Sequence, residues 1–76
     1  MVVEDETFDA RGMFCPEPVV KLAECMKHLR GGMVLKLLAD DPASYEDIKA
    51  WCRRTGNELV EITEEGGVVT AYIRKK

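Results

Sequence analysis

Apolar positions follow two different spacings along the chain. Val19, Leu22, Ala23, Met26 and Leu29 recur at three- and four-residue intervals, the period that brings side chains onto one face of a helix. The pattern predicts a helix over 16–30, stopped by Gly31. From 33 to 39 the chain is instead almost continuously apolar, interrupted only by Lys36, as expected of a strand central in its sheet. Asp41-Pro42 then offers an N-cap followed by proline at the first helical position, with Ser44 and Asp47 as a second cap slightly later. This second helix runs to Thr55, where Gly56 ends it, and carries Ile48 and Cys52 on its buried face with Tyr45 and Trp51 nearby.

Residues 57–63 and 68–74 read as strands joined through Glu65-Gly66-Gly67, a hairpin turn, and 7–10 ends a first strand. The order is βαβαββ. A strand-helix-strand unit sets its two strands parallel through a right-handed crossover, and the hairpin contributes an antiparallel pair. The expected fold is therefore α/β (α+β): a two-layer α/β sandwich with a mixed four-stranded sheet and two helices on one face.

A chain of 76 residues fits one domain, 1–76. At this size only about 60% of the extended-chain surface is buried, which leaves little interior for an enclosed substrate cavity. Chemistry is therefore expected at the surface. The net charge of −3 is spread along the chain without a basic stripe, which argues against nucleic acid as a direct partner. The short basic run Arg74-Lys75-Lys76 reads as a solvated end. No apolar run approaches membrane-spanning length, and Glu4-Asp5-Glu6 has the wrong charge to open a signal peptide. The three cysteines, Cys15, Cys25 and Cys52, are odd in number and widely spaced, signalling neither a disulfide framework nor a closed zinc site. A cytoplasmic, monomeric protein that spans no membrane is expected.

Cys15 precedes Pro16-Glu17-Pro18, whose prolines suit the first turn of a helix because no intrahelical bond is lost there. As N-cap, the thiol would face the positive end of the helix dipole, which favours thiolate. Glu17 opposes that effect, and a small apolar plug is an equally fair reading of the same position. Cys25 and Cys52 read as core residues, and Cys25 with His28 forms only half of a metal site. Helical rise puts Cys25 about 15 Å and His28 about 20 Å along the axis from Cys15. The only histidine therefore cannot serve Cys15 as a base, which argues against a cysteine hydrolase, and Cys25 cannot resolve it, which leaves Cys52 as the one candidate partner for a disulfide sensor. Sulfur transfer needs one exposed thiolate and no neighbouring thiol, and suits this layout. A regulatory interaction module with an incidental Cys15 is the alternative.

Asp9-Ala10-Arg11-Gly12-Met13-Phe14-Cys15-Pro16-Glu17-Pro18-Val19 closely resembles the Cys-Pro-x-Pro signature of the TusA/SirA-like sulfur-carrier family. Ala39-Asp40-Asp41-Pro42-Ala43 and Trp51-Cys52 resemble the same family at the second helix. The resemblance implies a βαβαββ sandwich and a non-catalytic carrier holding sulfane sulfur as a persulfide on Cys15. It implies that Pro16, Glu17 and Pro18 shape a docking edge, with Arg11, Gly12 and Asp40 as nearby contacts. It further implies a sulfur donor (a cysteine desulfurase or rhodanese) and an acceptor (a DsrE-like or TusD-like relay protein), with no cofactor and no metal. The pathways so served are tRNA thiolation, sulfur oxidation or cofactor sulfuration.

Overall fold

The computed structural model describes residues 3–14 and 16–76, and its elements run β1 (Glu6–Asp9), α1 (Glu17–Lys27), β2 (Val34–Ala39), α2 (Ser44–Thr55), β3 (Glu58–Glu65) and β4 (Val68–Arg74). β1 pairs parallel with β2, from Glu6 opposite Leu35 to Asp9 opposite Leu38. β2 and β3 each pair antiparallel with β4, giving the strand order β1-β2-β4-β3. The apolar strands β2 and β4 therefore lie in the middle. The charged strand β3, with Glu58, Glu61, Glu64 and Glu65 and a register shift between Leu59 and Glu61, takes an edge, where charge and irregularity discourage further pairing.

The period of two along the central strands divides their side chains. Leu35, Leu37 and Ala39 of β2 and Val69, Ala71 and Ile73 of β4 are buried together with Leu22, Met26 and Leu29 near α1 and Ile48, Trp51 and Cys52 on α2. Both helices thus cover one face, as a two-layer sandwich requires. Lys36 and Tyr72 are paired across the other face, with the ammonium 5.8 Å from the ring centroid.

Strand ends shift by one or two residues from those the sequence predicts, and β3 runs on through Glu65, which the sequence pattern puts in the hairpin turn, because Glu65 pairs with Val68. Three helix boundaries differ as well. Pro16, with φ −94° and ψ 11°, takes the N-cap place of α1 expected of Cys15, and Glu17 is the first helical residue. The Glu17 N–H donates to the Phe14 carbonyl at 2.8 Å, so a turn occupies the place of the expected first helical residue. At the other end α1 stops at Lys27 and not at Gly31, because His28 and Leu29 donate to Cys25 and Met26 in short-range bonds that tighten the last turn. Asp41 is not the cap of α2: its side chain accepts from the Ala43 N–H at 2.9 Å and its carbonyl from the Ser44 N–H at 2.9 Å, forming a turn before the helix begins at Ser44.

The basic end is also not merely solvated. Lys75 exchanges backbone bonds with Met33 and Gly32, its Nζ donates to the Leu29 carbonyl at 2.7 Å, and the Lys76 N–H donates to Asn57 Oδ1 at 2.9 Å.

Cys52 is 4% exposed within the core, so Cys52→Ser sets a hydroxyl among apolar groups. Equilibrium urea unfolding should show a loss of about 1–3 kcal/mol, against less than about 0.5 kcal/mol for the exposed control Arg53→Ala. An unchanged midpoint for Cys52→Ser would mean that the site accommodates a hydroxyl and is not the apolar interior described.

Candidate functional site

The last bond joining the β1 end to β2 runs from the Ala10 N–H to the Leu38 carbonyl at 2.7 Å, after which the chain turns toward α1. The Met13 N–H donates back to the Ala10 carbonyl at 3.2 Å, and Gly12, third in this four-residue turn, has φ +88°. A type II turn needs that left-handed conformation at its third position, which is why glycine stands there. A Cβ at Gly12 would meet nothing within 4 Å, so backbone angle and not space excludes other residues.

Arg11 folds back onto Asp9. Its backbone N–H and Nε donate to Oδ1 at 3.0 and 2.9 Å, and its Nη2 donates to Oδ2 at 2.8 Å. The guanidinium bonds, followed by the backbone bond, hold the Asp9 carboxyl down to about 2, and the same pair raises Arg11. From the neighbouring strand, Asp40, the first residue after β2, accepts the Gly12 N–H at 2.9 Å through Oδ1. Met13 packs partly against the core, whereas the Phe14 side chain is 76% exposed. The loop is thus fastened before and after residue 14, by the Ala10–Met13 turn and by the Phe14–Glu17 bond. Cys15, the sulfur-carrying candidate, lies outside the described residues.

Arg11, Gly12 and Asp40 come together at one end of the sheet, and Pro16 and Glu17 stand exposed at the start of α1. Pro18 does not belong with them. It is fully buried, one turn before Leu22 and two before Met26, so it anchors α1 to the core and cannot form part of a docking edge. Pro16 also lines an open groove of about 240 Å³ with Val19, Asp47, Ala50 and Arg54. Asp9 and Phe14 are the features that sequence reasoning misses. The two-residue spacing of Asp9 and Arg11 is the signal for the first, and nothing in the apolar periodicity marks Phe14 as exposed.

The other two thiols are unsuited to ionise. Burial pushes the Cys52 thiol up to about 11. Cys25 is raised too, first by desolvation and then by the negative charges of Glu24 and Glu6. It lines a cavity of about 150 Å³ with Glu6, Thr7, His28, Leu29 and Leu35, beside the beginning of β1 and away from the motif loop at its end. Among the described residues, no three His, Cys, Asp or Glu side chains are grouped so as to hold a metal ion. No helix among them is long and apolar enough to cross a membrane.

Comparison with known proteins agrees with this architecture. Residues 6–75 match the family Sulfurtransferase TusA, and the chain belongs to the TusA family. It is 43% identical over 75 residues to the sulfur carrier protein TusA of Pseudomonas entomophila, covering 99% of this chain and 94% of that one. A longer relative from Aquifex aeolicus is 42% identical over 74 residues, which span 97% of this chain and 38% of that protein. The crystal structure of the SirA-like protein from Desulfitobacterium hafniense matches with a TM-score of 0.80 at 28% identity, covering 91% of this chain and 95% of that one.

The depressed Asp9 pKa has a testable origin. A carboxyl held low in the folded state adds stability above its unfolded pKa, near 3.9, and loses that contribution as pH falls through about 2. In a carboxyl-carbon NMR titration, Asp9 should titrate near 2 in the parent and near the ordinary aspartate value of about 3.9 in Arg11→Ala. An Asp9 titration unmoved by Arg11→Ala would show that the guanidinium bonds are not formed in solution.

Proposed function

We propose that the protein is a sulfur carrier of the cytoplasm that accepts sulfane sulfur as a persulfide on Cys15 and passes it to an acceptor enzyme, without itself catalysing a reaction on a substrate. The observation that carries this reading is the contrast between the cysteines. Cys25 and Cys52 sit in helices with thiols pushed up by burial, while Cys15 belongs to the motif loop that leads into the α1 N-terminus. Membership of a family that includes named sulfur carriers supports it.

The start of α1 offers few backbone donors. Pro16 and Pro18 have no N–H to offer, and the N–H of Glu17 is engaged with Phe14. The positive end of the helix dipole is a backbone influence that favours thiolate at residue 15. In loading, the Cys15 thiolate attacks the outer sulfur of a donor persulfide. A new sulfur–sulfur bond forms to Cys15, the donor's own sulfur–sulfur bond breaks, and the donor leaves as thiolate. In delivery an acceptor thiolate attacks the same outer sulfur, and Cys15 is the leaving thiolate. A cysteine desulfurase or a rhodanese would serve as donor and a DsrE-like or TusD-like relay protein as acceptor, with Arg11, Pro16 and Glu17 among the residues exposed to them.

Treatment with inorganic polysulfide, or with a charged rhodanese or desulfurase, should add the mass of one sulfur atom at Cys15, and dithiothreitol should remove it. Cys15→Ala should not load, whereas folded Cys25→Ala and Cys52→Ala should load normally. Sulfur found by peptide mass mapping on Cys25 or Cys52, or on no cysteine with any of these donors, would end the proposal.

A further inference from the structure

We infer that Asp40 is a positioning residue for sulfur transfer, acting as the hydrogen-bond acceptor that fixes the backbone leading into Cys15 and not as a charge read by a partner. The inference rests on Cys15 being the residue that carries sulfur. In the turn from Ala10 to Met13, the internal bond uses the Met13 N–H, and the Arg11 N–H is taken by Asp9. The Gly12 N–H is used by neither and is met by Asp40 Oδ1 at 2.9 Å, across 28 residues of sequence. Through this bond a side chain from β2's end grips the loop by its backbone.

The grip falls where the chain is least constrained by side chains. Gly12 has φ +88° and a Cβ there would meet nothing within 4 Å, so beyond the turn's own Ala10–Met13 bond its peptide is held by the Asp40 acceptor. Residue 15 follows Gly12 by three residues, a stretch of at most about 10 Å, so the set of the Gly12 peptide helps aim the chain that leads to it. Group transfer is sensitive on that scale, and a misplacement of about 1 Å can cost about 100-fold. Arg11, whose charge acts on Asp40 as well as on Asp9, is already committed to Asp9 by three bonds. What Asp40 contributes to the loop is therefore its oxygen, and an amide oxygen in the same place should serve.

The test compares Asp40→Asn, which keeps an acceptor and loses the charge, with Asp40→Ala, which loses both. Asp40→Ser, too short to reach Gly12, stands in if the alanine variant does not fold. Two partner-free readouts apply: the pH midpoint of Cys15 alkylation followed by peptide mass mapping, and the rate of persulfide formation with inorganic polysulfide. Asp40→Ala should move the alkylation midpoint by half a pH unit or more and slow loading about 10- to 100-fold, with Gly12 amide exchange accelerated. Asp40→Asn should leave the midpoint in place and load within about threefold of the parent. Equal effects of Asn and Ala would overturn the inference in favour of a charge role, and parental behaviour of Asp40→Ala would overturn it outright. If the parent itself takes up no sulfur, the carrier reading fails, while the alkylation midpoints still decide whether Asp40 positions the loop.

Discussion

The parallel pairing of β1 with β2 is the constraint on which the site depends. The crossover through α1 returns the chain so that both strands end at the same end of the sheet, with Asp9 opposite Leu38. Their following segments consequently emerge side by side, and each leads into a helix, at Glu17 and at Ser44. Only in this register can Asp40 reach Gly12. The register is held by burial, since a one-residue slip of β2 would turn Leu35, Leu37 and Ala39 out of the core and withdraw Asp40 from the loop at the same time. Packing energy in the sheet thereby fixes the geometry of a surface loop that has little packing of its own.

The same architecture separates the thiols. Cys52 is carried by α2 into the core, and Cys25 by α1 to the region of Glu6 and Thr7, where β1 begins. Burial makes both poor thiolates. For a carrier this burial has chemical value, because an ionised second thiol within reach of a persulfide would displace its outer sulfur as sulfide and close a disulfide. A small domain suits this work, since a carrier's reacting partners bring the other sulfur atoms with them.

Much of the fold is legible in the residues. The apolar run at 33–39 marks β2 as central, Gly56 marks the end of α2, and Gly66-Gly67 marks the hairpin, with Glu65 opposite Val68. Boundaries fail where local turns compete with helix propensity, at Phe14–Glu17 and at Asp41–Ser44. Extending the stripe of Leu22, Met26 and Leu29 backward by one turn would have placed Pro18 inside, but its motif position suggested an exposed edge. Strand order escapes because a β3–β4 hairpin can dock through either strand, and the choice rests on the alternation of Val69, Ala71 and Ile73 against β2. The bond from Gly12 to Asp40 joins two loops distant in sequence, so no spacing rule announces it.

The proposal that Cys15 carries sulfur out of reach of the other thiols is tested most directly by loading the protein with labelled sulfane sulfur, removing all free donor, and following sulfide release and cysteine state with time in the absence of any acceptor. The account predicts that the persulfide persists on Cys15, with Cys25 and Cys52 remaining free thiols, until an acceptor thiol is added and takes the label. Spontaneous release of labelled sulfide, with formation of a disulfide from Cys15 to Cys25 or Cys52 within one chain, would contradict it.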